Sequence, residues 1–288
     1  KVDIVPIIFH GTAYVQGKDD NFLLKPGTVT VKYLPRIAAA DNRFGKDYAE
    51  RTKNISKYFK EEYNALRQQI ESVDYFYNRL TKNYIYKGPM LEWYMRIKVK
   101  MEDKYRLFES LLPKRGIITD VGCGYGFLPY MLSFMSEERT VIGTDYDEEK
   151  IAVANSCFSK SKNIAFYAAD ATTANFAPSD AFVLSDILHY LPKQKQEVLI
   201  EKCIHSLNDG GMLLIRDADQ SKSKRHWGTR YTEFVSTNIG FNKTANKLEF
   251  VPADFIETIL KRNKMHYEIV DNTRLTSNII FVARKKES

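Results

Sequence analysis

Gly116-Ile117-Ile118-Thr119-Asp120-Val121-Gly122-Cys123-Gly124-Tyr125-Gly126-Phe127 decides the fold of this chain. A short apolar run that ends in an acid and passes into three alternating glycines reads as a strand feeding a tight turn. Such a turn needs residues that accept positive φ and let a ligand approach the backbone. The segment Phe127-Leu128-Pro129-Tyr130-Met131-Leu132 continues as a helix, so the turn delivers its ligand to a helix N-terminus. A dinucleotide-binding turn carries Gly-x-Gly-x-x-Gly. Here the spacing is Gly-x-Gly-x-Gly, and Phe127 stands where the third dinucleotide glycine would be. Asp120 would repel a phosphate and attract a cationic group.

Working outward, strand and helix patterns alternate through residues 116–288, which implies a parallel sheet covered on both faces. Strands are expected near 116–120, 140–144, 164–168, 181–185 and 212–216, with helices near 127–136, 147–158 and 193–207. A helix near 253–263 precedes two strands, 267–271 and 278–283, joined by a turn-like connection at 272–277. Acids recur at strand ends. Val141-Ile142-Gly143-Thr144-Asp145 is one such strand, Ala168-Ala169-Asp170-Ala171 follows another, and Ser185-Asp186 closes a third. Asp145 reads either as a bidentate partner for two ligand hydroxyls or as the N-cap of the next helix. Asp147 fits that cap better, which leaves Asp145 for the ligand. Asp170 reads either as a ligand acid or as an Asx-turn.

Together these motifs resemble the class I S-adenosylmethionine (SAM) methyltransferases. The resemblance implies an α/β, Rossmann-like seven-stranded sheet with a reversed final strand and SAM as cofactor. It implies cofactor contacts at Asp120, Gly122, Cys123, Gly124, Gly126, Asp145, Tyr146, Asp170, Ala171 and Ser185, with Asp145 on the ribose and Asp170 on the adenine amino group. The fourth strand's end, Ser185-Asp186-Ile187-Leu188-His189-Tyr190-Leu191-Pro192, lacks the Asp/Asn-Pro-Pro-Tyr of amino-methylating DNA enzymes. Leu-x-His-Tyr-Leu is similar to small-molecule methyltransferases. His189 is a candidate general base because its ordinary pKa lies near neutrality; the alternative is a packing histidine. His226, in the basic stretch 220–231, is the second candidate. Asp217 and Asp219 are expected at the ligand edge of the sheet.

The first 72 residues read differently. Strand-like runs at Val2–Phe9 and Thr28–Leu34 precede a helix pattern carrying Ile55, Phe59, Leu66 and Ile70. Val5-Pro6-Ile7-Ile8-Phe9-His10-Gly11-Thr12, Leu24-Lys25-Pro26-Gly27-Thr28-Val29-Thr30-Val31 and Tyr48-Ala49-Glu50-Arg51-Thr52-Lys53 resemble the C-terminal end of PlsC-like glycerolphosphate acyltransferases. That family's His-x-x-x-x-Asp motif is absent: Val15 lies five positions after His10. No acyltransferase active site is carried over. The chain opens at Lys1 and reads as a fragment of a longer protein, with 1–72 a small α/β acyltransferase-tail appendage. It should expose strand edges. Residues 73–115, aromatic and basic, read as a helical lid or linker, with one helix over 90–112. The methyltransferase domain then occupies 116–288.

Three cysteines, Cys123, Cys157 and Cys203, argue against a disulfide framework or a zinc site and for a reducing compartment. No apolar run approaches the ~18 residues of a membrane span. A cytoplasmic location is expected, with peripheral contact at the inner membrane face through the parent acyltransferase. Net charge is +7, read either as a solvated basic face or as attraction to an anionic partner. The expected partner is a small-molecule or acyl-carrier-linked substrate, a phenolic or aryl-polyene acyl group in the sharpest form, and not nucleic acid. RNA or protein methylation and a non-catalytic SAM-binding module are the competing readings.

Overall fold

The structure, a computed structural model, describes residues 2–16, 24, 27–101, 104–218, 249, 251–270 and 278–286. The chain forms two compact units, Lys1–Lys82 and Asn83–Ser288.

In the first unit, β1 (Ile7–His10) pairs antiparallel with β2 (Thr30–Tyr33). A short helix, α1 (Thr12–Val15), follows β1, and a long one, α2 (Tyr48–Ile70), follows β2. Asp47 starts α2 by accepting from the Glu50 N–H at 2.8 Å. The side chains alternate as a strand requires. Ile8 and His10 are buried, whereas Ile7, Phe9, Val31 and Tyr33 are exposed on the other face. The core here is small: Ile8, Leu34 and Leu66, with Tyr58, Phe59, Tyr63 and Ile70 packed around them. The next helix, α3 (Val73–Lys82), belongs to this unit, so the division falls after Lys82 and not after residue 72. The cause is aromatic packing. Phe76 meets the Tyr14 ring edge-on at 5.6 Å, and the Arg79 guanidinium lies 4.3 Å from the centre of that ring.

The second unit opens with α4 (Pro89–Met101) and α5 (Lys104–Leu111), two helices where the periodicity predicts one. It then alternates: β3 (Gly116–Val121), α6 (Phe127–Met135), β4 (Arg139–Asp145), α7 (Glu148–Asn155), β5 (Ile164–Ala168), β6 (Ser179–Ser185), α8 (Lys193–His205), β7 (Leu207–Ala218), α9 (Ala253–Arg262), β8 (His266–Val270) and β9 (Asn278–Arg284). The sheet order is β5-β4-β3-β6-β7-β9-β8. β9 runs antiparallel to both neighbours and the rest of the ladder from β5 to β7 is parallel. The expected seven-stranded sheet with a reversed last strand is therefore present. The connection at 272–277 lies outside the described residues. β7 begins at Leu207, earlier than expected, because Ser179 pairs with Leu207 before the register slips at Ala181–Met212. Gly210, at φ 70°, absorbs the irregularity.

One face of the sheet is sealed by Phe182, Leu184, Leu213, Ile215 and Phe281 against Leu199 and Ile200 of α8 and Ile256 and Ile259 of α9. Each such buried side chain contributes roughly 1.5–3 kcal/mol of hydrophobic stabilisation. α6 is apolar on every side, and Leu128, Tyr130, Met131, Leu132 and Phe134 are all buried; an all-round apolar helix is an interior helix. A buried ion pair fixes α5. Arg139, wholly inaccessible, pairs with Glu109 and donates to the Pro113 and Leu132 carbonyls at 2.8 and 3.1 Å. The central strand β3 pairs with β4 on one side and β6 on the other. This reversal opens a crevice at the carboxyl ends of the strands, where such sheets bind ligands.

Candidate active site

The glycine loop after β3 follows from its three positive φ angles, 79° at Gly122, 55° at Gly124 and 80° at Gly126. Two of the glycines are also required by packing. A Cβ at Gly122 would sit 2.6 Å from Ile187, and one at Gly126 would sit 2.6 Å from the Phe166 ring. Gly124 differs: a Cβ there would meet nothing within 4 Å. Its missing side chain leaves open space in the cleft, which is what a ligand lying on the backbone needs.

That cleft, about 600 Å³, is lined by Asp120, Gly122, Cys123, Gly124, Asp145, Tyr146, Asp170, Ala171 and Ser185 among others. Nine of the ten expected cofactor contacts thus converge. Gly126 does not line it; its role is to turn the chain against Phe166 into α6. Asp145 accepts from the Gly124 N–H at 2.8 Å through Oδ2 and from the Asp147 N–H at 3.0 Å through Oδ1. It braces the glycine loop, and each oxygen keeps a second lone pair. Asp147, as expected, caps α7 by accepting from the Glu149 and Lys150 N–H groups. Asp170 forms the Asx-turn. Its Oδ1 accepts from the Thr172 N–H and Oγ1, both at 2.8 Å, which holds its carboxyl below the usual range.

Asp120 is buried, and its pKa is pushed up to about 7: desolvation raises it, Lys104 opposes, and Asp145 and Asp186 add to the rise. Burial also pushes the Cys123 thiol well up, which favours its protonated form. Burial lowers the Lys150 ammonium, against the pull of Asp145 and Asp147.

His189 does not line the cleft. It is 2% exposed, and its Nδ1 lies 2.6 Å from Asp217 Oδ1. Asp217 also accepts from the Leu188 N–H at 2.9 Å. The reason is geometric: the turn at Leu188–Tyr190 directs His189 toward the end of β7 and presents Tyr190 to the cleft. Asp217, expected at the ligand edge, is turned inward with it. His226 and Asp219 lie outside the described residues.

Sequence reasoning missed a charged cluster at the end of β6. Lys104, the first residue of α5, donates to Ser185 Oγ at 3.1 Å and Asp186 Oδ2 at 2.6 Å. Arg216 of β7 pairs with the other carboxylate oxygen of Asp186. Burial alone would raise the Asp186 pKa, but Arg216 and Lys104 hold it well below the ordinary carboxylate range. Asp186 sits at φ 59°, a left-handed conformation uncommon for a non-glycine residue. Tyr94, Lys98 and Tyr105 of α4 and α5 line the same cleft, together with Tyr125 and Tyr190. Only Asp186 carried a visible signal, as an acid at a strand end.

The cleft fits the cofactor that the sequence implies. Acids at the ends of β4 and β5, the buried carboxyl of Asp120 and the open space at Gly124 all lie on it. Comparison with known proteins agrees. Residues 118–211 match a family described as "Methyltransferase domain". Carboxy-S-adenosyl-L-methionine synthase of Campylobacter concisus is 26% identical over 113 residues, 39% of this chain and 48% of the relative, so the match spans about half of that protein. The enzyme of the same name from Helicobacter pylori strain J99 is 24% identical over 193 residues, 63% of this chain and 79% of the relative. Human N-acetylserotonin methyltransferase in complex with SAM superposes with a TM-score of 0.51 at 17% identity, covering 82% of this chain and 69% of that one. At that identity the likeness shows the fold. Strand order, glycine loop and family match agree that residues 118–211 are similar to a methyltransferase domain, set in a sheet of the order such folds use.

Proposed function

We propose that this chain transfers the methyl group of SAM to a small-molecule or carrier-linked acceptor, with a phenolic oxygen or aromatic ring carbon as the reacting atom. The observation that carries the reading is that four tyrosines, Tyr94, Tyr105, Tyr125 and Tyr190, line the same cleft as Ser185 and Asp186. Such rings favour an aromatic guest through offset or edge-on contacts.

Bound SAM supplies a methyl already activated on a sulfonium. The chain's task is to hold and orient. Asp145 and Asp170 would take the nucleoside, Asp120 the cationic amino group, and the glycine loop would leave room for the chain between them. Proximity and orientation can supply as much as about 7–11 kcal/mol of such a barrier, so a dedicated catalytic triad is not required. The resemblance of residues 1–72 to an acyltransferase tail supports an acyl-linked aromatic acceptor, and with it peripheral membrane contact. None of the helices among the described residues is long and apolar enough to cross a membrane.

A second reading comes from the relatives named carboxy-SAM synthase: the cleft makes a carboxylated cofactor instead of transferring a methyl. The test is calorimetric titration with SAM and S-adenosylhomocysteine, wild type against Asp145→Ala, followed by transfer of labelled methyl to phenolic acids and their thioesters. Saturable binding that the variant loses, with label in the aromatic product, supports methyl transfer. Label retained on a heavier cofactor, seen by mass spectrometry, supports the second reading. Absence of SAM binding refutes both.

A further inference from the structure

α4 is apolar on two sides. Leu91, Tyr94, Met95 and Val99 recur at helical spacing and are buried. Tyr94 meets the Tyr125 and Phe127 rings at 6.4 and 6.2 Å, so this stripe packs the helix into its own unit. Met90, Trp93 and Ile97 form a second stripe by the same spacing, on the outward side. Met90 is 57% exposed and Trp93 47%. The turn that leads into the helix adds Ile85 and Tyr86, both exposed. Single exposed apolar residues are ordinary. Four large ones within residues 85–93, on one helix and the turn that begins it, form a patch.

The charge of this stretch favours one kind of partner. Residues 85–100 hold Lys87, Arg96, Lys98 and Lys100 against Glu92, a net +3 of the chain's +7. Glu92 pairs with Arg96 at 2.7 Å, one turn further along the helix. Lys87 is exposed and, among the described residues, has no ion pair; its ammonium lies 6.0 Å from the centre of the Tyr86 ring. The Tyr86 hydroxyl donates to the Val153 carbonyl at 2.9 Å, which anchors that ring on the unit. Apolar chains with a tryptophan, a tyrosine and an excess of cations match the headgroup layer of an anionic bilayer. A bilayer also needs no shape complement, and the outward face of a helix is convex. Tyr94 and Lys98 of the same helix line the cleft, so a surface met by Met90 and Trp93 lies beside it.

We propose that the outward stripe of α4, Met90, Trp93 and Ile97, with Ile85, Tyr86 and Lys87 before it, docks the second unit onto an anionic lipid surface. Peripheral membrane contact then belongs to this unit itself. That the docked cleft takes its acceptor from the lipid surface rests on the methyltransferase reading; the docking does not.

The test is sedimentation of the full chain with vesicles of phosphatidylcholine alone and of an equal mixture with phosphatidylglycerol. Wild type should partition onto the anionic vesicles about tenfold or more above the neutral ones, and raised salt should weaken that binding. Lys87→Gln should lose about fivefold, the usual worth of one cation at such a surface. Met90→Ser combined with Trp93→Ser should lose about tenfold or more, with thermal unfolding unchanged because the buried stripe is untouched. Trp227→Phe leaves Trp93 as the chain's one indole, and its emission should shift to the blue on vesicles and be quenched by brominated lipid. Equal partition onto both vesicles would overturn the proposal, as would binding that survives the substitutions or an unquenched Trp93. So would binding of an acidic acyl carrier protein to α4 with none to vesicles, since the partner would then be a protein. SAM titration of the same samples reads the other assignment separately: vesicle binding without SAM binding refutes the methyltransferase reading and still supports the docking surface.

Discussion

Alanine placed singly at Gly122, Gly124 and Gly126 should separate what the glycine loop does for folding from what it does for the ligand. All three glycines have positive φ, so each substitution carries a backbone cost of roughly 1–2 kcal/mol. At Gly124 that is the whole cost, because the new methyl meets nothing within 4 Å. At Gly126 it would lie 2.6 Å from Phe166, a ring packed at 5.3 Å against Tyr130, and 3.2 Å from Ala154. Overpacking of this kind adds about 1–3 kcal/mol, giving about 2–5 in total. Gly122 should lie between the two: the Ile187 Cδ1 it meets at 2.6 Å can swing away, whereas Ile187 Cβ and Cγ1 at 3.1 Å yield less readily. For a unit of this size each kcal/mol moves Tm by about 2–4 °C. Thermal and urea unfolding of the ligand-free protein should therefore rank the variants Gly124→Ala, Gly122→Ala, Gly126→Ala in increasing damage. Calorimetry should rank them the other way per unit of stability lost. Gly124→Ala should lose most of its SAM affinity while remaining nearly as stable as wild type, since its methyl occupies cleft space. If Gly124→Ala unfolds as readily as Gly126→Ala, or binds SAM normally, the assignment of the open space to the cofactor is wrong.

Asp120 makes two pH-dependent predictions. Its folded pKa of about 7 exceeds the unfolded value of 3.8, so the folded state holds the extra proton between those values. Ligand-free stability should fall by up to about 1.4 kcal/mol per pH unit as pH rises across that window and then level off. Asp120→Asn should flatten the slope in urea titrations. A cationic ligand group favours the carboxylate, so SAM affinity should rise from pH 6 to 8 in wild type with proton release, and calorimetry in buffers of different ionisation enthalpy should find none in Asp120→Asn. Arg139→Met leaves Glu109 buried without its partner and should cost about 3–5 kcal/mol in denaturant unfolding; a loss under 1 kcal/mol would show that α5 is held otherwise. His189→Gln should cost about 1–3 kcal/mol of stability and leave SAM affinity and the pH profile of methyl transfer unchanged. A lost acidic limb in that profile would restore His189 as a base.

The sheet was legible because its evidence is local. β3, β4 and β6 each read as an apolar run closed by a polar residue, and the helices between them have local start signals, the glycine loop before α6 and the Asp147 cap before α7. Where an element depends on distant pairing, the reading erred. β7 begins at Leu207 because Ser179 of a neighbouring strand reaches it, and Asn208–Gly211 alone looks like a turn. The helix pattern over 90–112 likewise has no internal mark for the division between α4 and α5. The boundary after Lys82 arises from contacts of Phe76 and Arg79 with Tyr14, some sixty residues away in sequence, which no window contains.

The site divides along the same line. The residues that line the cleft from the strand ends belong to motifs with fixed spacing, and they converge on one cleft. The charged cluster at β6 has no spacing at all: Lys104, Asp186 and Arg216 come from three elements. A lysine at the start of a helix reads as solvated surface, and an arginine in a strand reads as an edge residue. Their burial is set by the topology, because reversal of strand order at β3 puts β6 and β7 on one side of the crevice and the chain preceding β3 supplies α5 above them. His189 is the converse. Its type and position suggest a base, yet a one-turn helix at Leu188–Tyr190 turns it onto Asp217 and offers Tyr190 to the cleft in its place. In this fold the residue type at a strand end indicates that chemistry occurs there, and only the direction of the following turn determines which neighbour performs it. Of the two adjacent rings, the cleft takes the tyrosine, so the turn at Leu188–Tyr190 withdraws the histidine from the cleft and leaves a phenol ring in its place.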